Sequence, residues 1–364
     1  MNFAPPPVHA RRIVLVNPTR YLGNLLIAGG LIQAFAAHSH AQGRAFTVVV
    51  DAAFVDLLRP ALPETTALLA YPRGAIKAAG AWRKLTLYLG FLRQLRALKA
   101  DIAFNIEEDS TSDRLTRHSG AAYRLGCSTT RHRGAYEAVV PISFVARPLA
   151  RRHRWYSFME MFAALGLQEP PQAGYLHFPP GAPPLPDVTR LQEQGFDPKQ
   201  PYAALHAGAT KDYKKWPRNY FAQLARRLRD AGLQVVFIGA GRDAHESAQV
   251  FELLGHPRQG IFDVTNHFSL SQLGGFLRGA RCMVGNDSGP FHLATALGVK
   301  GVVIFGPTDV GLWRPLGEEV RVLQHSAQCS PECSRKRCLF DHACLKSISP
   351  DEVMAALYEL SALH

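Results

Sequence analysis

The sequence predicts an α/β protein made of two doubly wound units facing one another across a cleft. Apolar runs of four to six residues alternate with helical segments almost from end to end, the pattern of parallel sheets covered on both faces. A proline-dense break interrupts that alternation near the middle. The length, 364 residues, is too great for one compact core and suits two. Hydrophobic residues make up 47% of the chain and charged residues 19%, which excludes a disordered or coiled-coil protein.

The elements follow in order. RRIVLVN, residues 11–17, is a strand, followed by the glycine-bearing turn RYLG and a helix to about His40. Within that helix LLIAGGLIQAFAA falls short of a membrane span and carries Gly29, Gly30 and Gln33, so a buried helix fits it better. FTVVVD, residues 46–51, is the second strand. A basic helix near residues 82–99 leads to the strong strand DIAFNI, residues 101–106, and AAYRLGC is a weaker strand. EPPQAGYLHFPPGAPPLPD, residues 169–187, holds seven prolines and cannot continue a helix or a central strand. It reads as the linker between domains 1–178 and 179–364.

Beyond it the alternation restarts with YAALHAG, a helix from Pro217, QVVFIGAG, a helix through residues 246–254, and GIFDVT. A helix near residues 270–279, CMVGND, a helix from Gly289 and KGVVIFG complete the second set. Ser349-Pro350-Asp351-Glu352 opens the last helix with a capping-box pattern and proline at its first position. That helix, residues 350–362, is expected to pack back on the first domain.

The net charge of +12 is uneven. Residues 1–180 hold 21 Lys/Arg against 11 Asp/Glu, a net of +10, whereas residues 181–364 hold 20 against 18, a net of +2. A basic half attracts anions such as nucleic acid, acidic headgroups or a phosphorylated glycolipid. Its cations are scattered through ordinary amphipathic helices without a recognition motif, which disfavours nucleic acid. MNFAPPPVHARR has no apolar segment and does not read as a secretory signal. The expectation is a cytoplasmic protein with peripheral contact to a membrane surface.

Three loops beyond strand ends in the second half carry chemistry. In open parallel sheets, ligands bind past the carboxyl ends of the strands. After CMVGND, Asp287 and Ser288 lead into a helix with Gly289 and Pro290 at its start and His292 one turn in. A helix start of this kind offers free N–H groups and a positive dipole end to an anion. The plainer use of the same pair is a Ser/Asp cap with nothing bound. In HAGATKDYKKWP, Thr210 supplies a hydroxyl and Lys214 a cation, both suited to phosphate oxygens. In GAGRDAHES the third glycine of a dinucleotide fingerprint is missing, so Glu246 reaching a ribose diol is the better use of that loop.

Together these residues resemble glycosyltransferase family 9, the ADP-heptose:lipopolysaccharide heptosyltransferases. GNDSGPFHLATALGVKGVVIFGPTD is similar to that family's most specific signature, and residues 208–217, with Lys214 two before Trp216, to its second. The resemblance implies a GT-B fold, an ADP-sugar donor on the C-terminal domain and an anionic lipopolysaccharide-core acceptor on the N-terminal one. It implies that Asp287, Ser288, Gly289 and His292 line the donor pocket, that Thr210 and Lys214 hold the diphosphate, and that Glu246 binds the ribose. The reaction implied is an inverting transfer at the cytoplasmic face of the inner membrane that requires no metal or other cofactor.

One position departs from the family pattern. The turn after the first strand carries Gly-Asp in the family, with the Asp as the proposed base; here Gly23 is followed by Asn24, and an amide cannot take a proton at physiological pH. Either the base has moved, to Glu107, Glu108 or Asp109, or transfer runs slowly on positioning alone, or the protein binds sugar nucleotide or glycolipid without turnover. A sugar-nucleotide epimerase is a further reading, since that chemistry also uses two such domains.

Four cysteines cluster near the C-terminus: Cys329, Cys333, Cys338 and Cys344, with His342 nearby. Clustered thiols in a cytosolic chain suggest a structural zinc or iron, although the spacing matches no standard zinc finger; the alternative is reduced thiols or a single disulfide. Cys127 and Cys282 sit beside strands and read as plain core.

Overall fold

The structure is a computed structural model, and it describes residues 5–107, 109–127, 133–140, 152–168, 174–326, 338 and 340–363. The chain divides into two compact units, Met1–Pro179 and Pro180–His364. Each holds one six-stranded, all-parallel sheet.

In the first unit the strands are β1 (Arg12–Val16), β2 (Ala45–Asp51), β3 (Thr66–Tyr71), β4 (Ile102–Phe104), β5 (Tyr123–Cys127) and β6 (Ala138–Val140). Their order is β3-β2-β1-β4-β5-β6, so the direction of winding reverses between β1 and β4. The central strands are buried on both faces, as their largely apolar runs require. Edge strand β3 was not foreseen: TALLAY is buried only at its two ends, so its pattern gives neither a continuous apolar run nor a clean alternation.

The helix Leu22–Ala41 is long and apolar enough, by length and composition, to cross a membrane. Here Leu25, Leu26, Leu31, Ile32 and Phe35 are fully buried in the unit, as the sequence led us to expect. Gly29 and Gly30 mark where the chain after residue 173 crosses this helix, with the Leu176 N–H donating to the Leu26 carbonyl at 3.3 Å. A side chain on Gly30 would stand 2.6 Å from the Gly174 carbonyl oxygen and 2.7 Å from that of Tyr175. Residues 174–188 form no helix or strand, in keeping with their prolines.

In the second unit β7 (Tyr202–His206), β8 (Gln234–Phe237), β9 (Ile261–Asp263), β10 (Cys282–Asn286), β11 (Gly301–Phe305) and β12 (Val320–Gln324) run in the order β12-β11-β10-β7-β8-β9. The reversal lies between β7 and β10. The last helix, Pro350–Glu359, is capped by Ser349, whose hydroxyl accepts the Glu352 N–H at 3.2 Å. Its apolar face (Val353, Ala356, Leu357) is buried with Phe221, Leu224 and Val302 in the core of the second unit.

Gly30→Ala is expected to destabilise the protein by about 1–3 kcal/mol, because backbone oxygens cannot yield as side-chain tips do. Gly90, in the helix Ala81–Ala97, has open space around it. Gly90→Ala should be neutral or stabilising by up to about 1 kcal/mol. Thermal melts of the two variants check both.

Candidate active site

Each unit places buried polar side chains at the strand ends where the strand order reverses. In the second unit the anchor is Asn286, fully buried at the end of β10. Its Oδ1 accepts the Trp216 N–H at 2.9 Å, and its Nδ2 donates to the carbonyls of Ala207 (2.9 Å) and Gly208 (3.2 Å). Both ends of the loop 207–216 therefore hang on one amide. The Trp216 indole N–H adds a bond to the Ile348 carbonyl at 2.9 Å, which explains why a tryptophan stands there. Gly306, in the loop after β11, has no room for a Cβ, which would meet the Tyr213 carbonyl oxygen at 2.4 Å.

Held this way, Lys214 places its Nζ 2.6 Å from Asp287 Oδ2, an ion pair whose carboxylate is almost fully buried. Ser288 comes next and precedes the helix Gly289–Ala296. Its hydroxyl does not cap that helix; it lies 3.0 Å from His206 Nδ1. The plain capping use of Ser288 is therefore not what the chain adopts, and its oxygen leaves the first-turn N–H groups untaken. His206 Nε2 in turn lies 3.3 Å from Asp243 Oδ2, which also accepts the Ala240 N–H at 3.1 Å. Gly208 and Gly239 are glycines because Asp243 fills the space beside them. Burial pushes the Asp243 carboxyl up, but the His206 hydrogen bond and charge, the Ala240 N–H and the nearby Lys215 together outweigh it and hold it below the usual range.

Glu246 is buried, with Oε1 2.6 Å from Lys215 Nζ and Oε2 2.7 Å from Arg218 Nε. Here too burial works upward and the Arg218 and Lys215 contacts prevail, so the carboxyl is held low and charged. A ribose diol at Glu246 would share oxygens that already hold cations, for which each carboxylate oxygen keeps a second lone pair. Thr210 is exposed at the bend of the loop, and His292 is buried in the first turns of its helix. Lys215, Arg218, His206, Asp243 and Asn286 were not singled out from sequence. Strand-end position was the only signal for His206 and Asn286.

In the first unit Asn24, in the first turn of the helix after β1, donates through Nδ2 to Glu107 Oε1 at 3.0 Å. Glu107 follows β4 across the reversal and is only 6% exposed. Burial pushes its carboxyl up, against hydrogen bonds from Asn24 and Thr19 and the nearby Arg154 charge. Asp109 is otherwise engaged: its Oδ1 caps the helix Ser110–Arg117 by accepting the N–H groups of Thr111 (2.8 Å) and Ser112 (3.1 Å), and Oδ2 accepts the Ser112 hydroxyl. Glu108 lies outside the described residues. Asn17 and Asn105, at the ends of the same two strands, carry buried amide atoms without a protein hydrogen bond.

The model of glycosyltransferase family 9 (heptosyltransferase) matches residues 88–343. The chain belongs to this family. Over 155 residues it is 33% identical to lipopolysaccharide heptosyltransferase 1 of Pseudomonas aeruginosa, covering 42% of each chain. Over 112 residues it is 30% identical to lipopolysaccharide heptosyltransferase 2 of Escherichia coli, covering 30% of this chain and 32% of that one. The aligned stretches thus span less than half the length of these curated relatives. The fold matches that of E. coli ADP-heptose lipopolysaccharide heptosyltransferase II with a TM-score of 0.73, at 18% identity over 96% of this chain and 98% of that one. A family 9 glycosyl transferase from Veillonella parvula gives the same TM-score at 20% identity, over 96% and 97% of the two chains.

Of the cysteines of this family 9 protein, Cys329 and Cys333 lie outside the described residues. Cys344 is buried in the core of the second unit, and the Cys338 sulfur accepts the His342 N–H at 3.2 Å. Among the described residues no group of three or more His, Cys, Asp or Glu stands together as a metal site.

Glu107 gives a stability test with a definite sign. Its folded-state pKa is raised above its ordinary value, so its contribution is most favourable below that value and is lost as pH rises through the raised one. Glu107→Gln should therefore melt higher than the parent at neutral pH, with the advantage vanishing in acid. Thermal melts across that range check it.

Proposed function

We propose that this family 9 protein transfers a heptose from ADP-heptose to the lipopolysaccharide inner core or a related anionic acceptor, inverting the anomeric carbon without a metal ion. The observation that carries the reading is the helix start at Gly289, whose N–H groups Ser288 leaves open beside Lys214 at the reversal between β7 and β10. A diphosphate satisfies those groups and the positive end of the helix dipole. Lys214 neutralises Asp287, which would otherwise repel the phosphates, and together with Thr210 it holds the leaving group. Glu246 takes the ribose, and Ser288, Gly289 and His292 line the pocket. The relatives' names, lipopolysaccharide heptosyltransferases, support the heptose and the acceptor. The work is then cytoplasmic, at the inner membrane.

Glu107 is the base. The acceptor oxygen bonds to the anomeric carbon as the bond from that carbon to the phosphate oxygen breaks; ADP leaves with the electron pair, and the hydroxyl proton passes to the Glu107 carboxylate. A carboxyl raised by burial is a stronger base than an ordinary one, which suits the task. Asn24 positions it through the 3.0 Å hydrogen bond.

Release of ADP from ADP-heptose, measured with and without core acceptor, tests the reading. Acceptor-dependent release is expected; binding of donor with no acceptor-dependent release would make the protein a binder instead. Glu107→Gln should lower kcat by about 10²–10⁴-fold. Asn24→Asp, which the sequence alone would offer as a repair, places a second carboxylate against Glu107, and the pair then shares a proton. That variant should turn over more slowly at neutral pH, with its pH–rate profile displaced upward. Restored, unshifted activity would return the base to position 24.

A further inference from the structure

We propose that the helix Ala81–Ala97 docks the protein on an anionic lipid bilayer. Its inner half is anchored: Phe91, Leu92 and Leu95 are buried with Val14, Val49 and Leu115 in the core of the first unit. Its outer half is not, and residues 81–86 are all exposed. Three large apolar side chains stand there in the open: Trp82 at 78% exposure, Leu85 at 47% and Leu89 at 44%. Their spacing of i, i+3 and i+7 puts them on one stripe, and Arg93 and Arg96 continue it inward. Single exposed apolar residues need no explanation, but a stripe of them does.

Charge says what covers it. Residues 65–100 contain seven Lys/Arg and no Asp or Glu. Arg83 and Lys84 flank Trp82 and are exposed, as is Lys77 in the short preceding helix Arg73–Ala78, none of whose residues is buried. Asp101, the next acid along the chain, is turned away to accept the N–H groups of Arg11 and Arg12, both at 2.8 Å. The core of a protein–protein interface is depleted of charge, and a nucleic-acid surface has no use for a Trp-Leu-Leu stripe. Cations at phosphate level with tryptophan and leucine between them match the headgroup boundary of an anionic membrane.

The test needs no sugar nucleotide, so it stands or falls separately from the proposed transfer. The full chain is floated with phosphatidylcholine vesicles, with and without phosphatidylglycerol. Binding should rise on the anionic vesicles by about fivefold for each basic side chain that reaches the surface and fall as salt is added. Trp82 emission should shift to the blue on binding, a shift lost in Trp82→Phe. Trp82→Ser with Leu85→Ser should cut binding about tenfold or more while circular dichroism and the melting temperature stay unchanged. Equal binding to both vesicle types, or binding indifferent to these substitutions, overturns the proposal. So does sedimentation showing that the stripe pairs two copies of the chain and that the protein leaves vesicles untouched.

Discussion

The second unit depends on the side chain of Asn286. One buried amide accepts from Trp216 and donates to Ala207 and Gly208, so the loop 207–216 is tied at both ends to the strand that also delivers Asp287 and Ser288. Without that tie the loop would carry Lys214 over an open surface, and its ion pair with Asp287 would be one of several solvated arrangements. With it, lysine, carboxylate and helix start occupy fixed places. The partners are backbone groups that burial leaves no other means of satisfying, so the geometry is enforced by the cost of leaving them unpaired, about 1–3 kcal/mol each.

The cations and carboxylates around this site largely neutralise one another. Lys214 is spent on Asp287, while Lys215 and Arg218 are spent on Glu246. In the proposed donor site the uncompensated positive field therefore lies at the helix start, where Ser288 has been drawn aside by the His206–Asp243 chain, and Lys214 adds the N–H donors that Asp287 does not take. In the first unit the same topological position is used differently. There Asn24 and Glu107 meet across β1 and β4, and burial is used to raise a carboxyl's proton affinity. In the proposed transfer, the helix start is suited to a leaving anion and the raised carboxyl to accepting a proton.

Much of this was legible in the residues. The buried central strands announced themselves as apolar runs, and the signature loops fell where strand ends put them. Edge strands did not: Val320–Gln324 interleaves arginine and glutamine with valine, and Ala138–Val140 is only three residues long. The helix Ser110–Arg117 was missed because STSDRLTR offers one large apolar residue, Leu115, to the core. That miss bore on the site, since an acidic run looks like solvated loop until Asp109 is seen capping a helix and Glu107 is seen buried. Contacts between residues far apart in the chain, such as Asn24 with Glu107 or His206 with Ser288, depend on sheet order, which periodicity does not reveal.

The most direct test of the donor site is a crystal structure of the protein with ADP. The diphosphate should lie against the N–H groups of Gly289 and Phe291, with the Lys214 ammonium on its oxygens and Asn286 unmoved. A diphosphate bound at another strand end, or a helix start closed off by its own side chains, would contradict that placement.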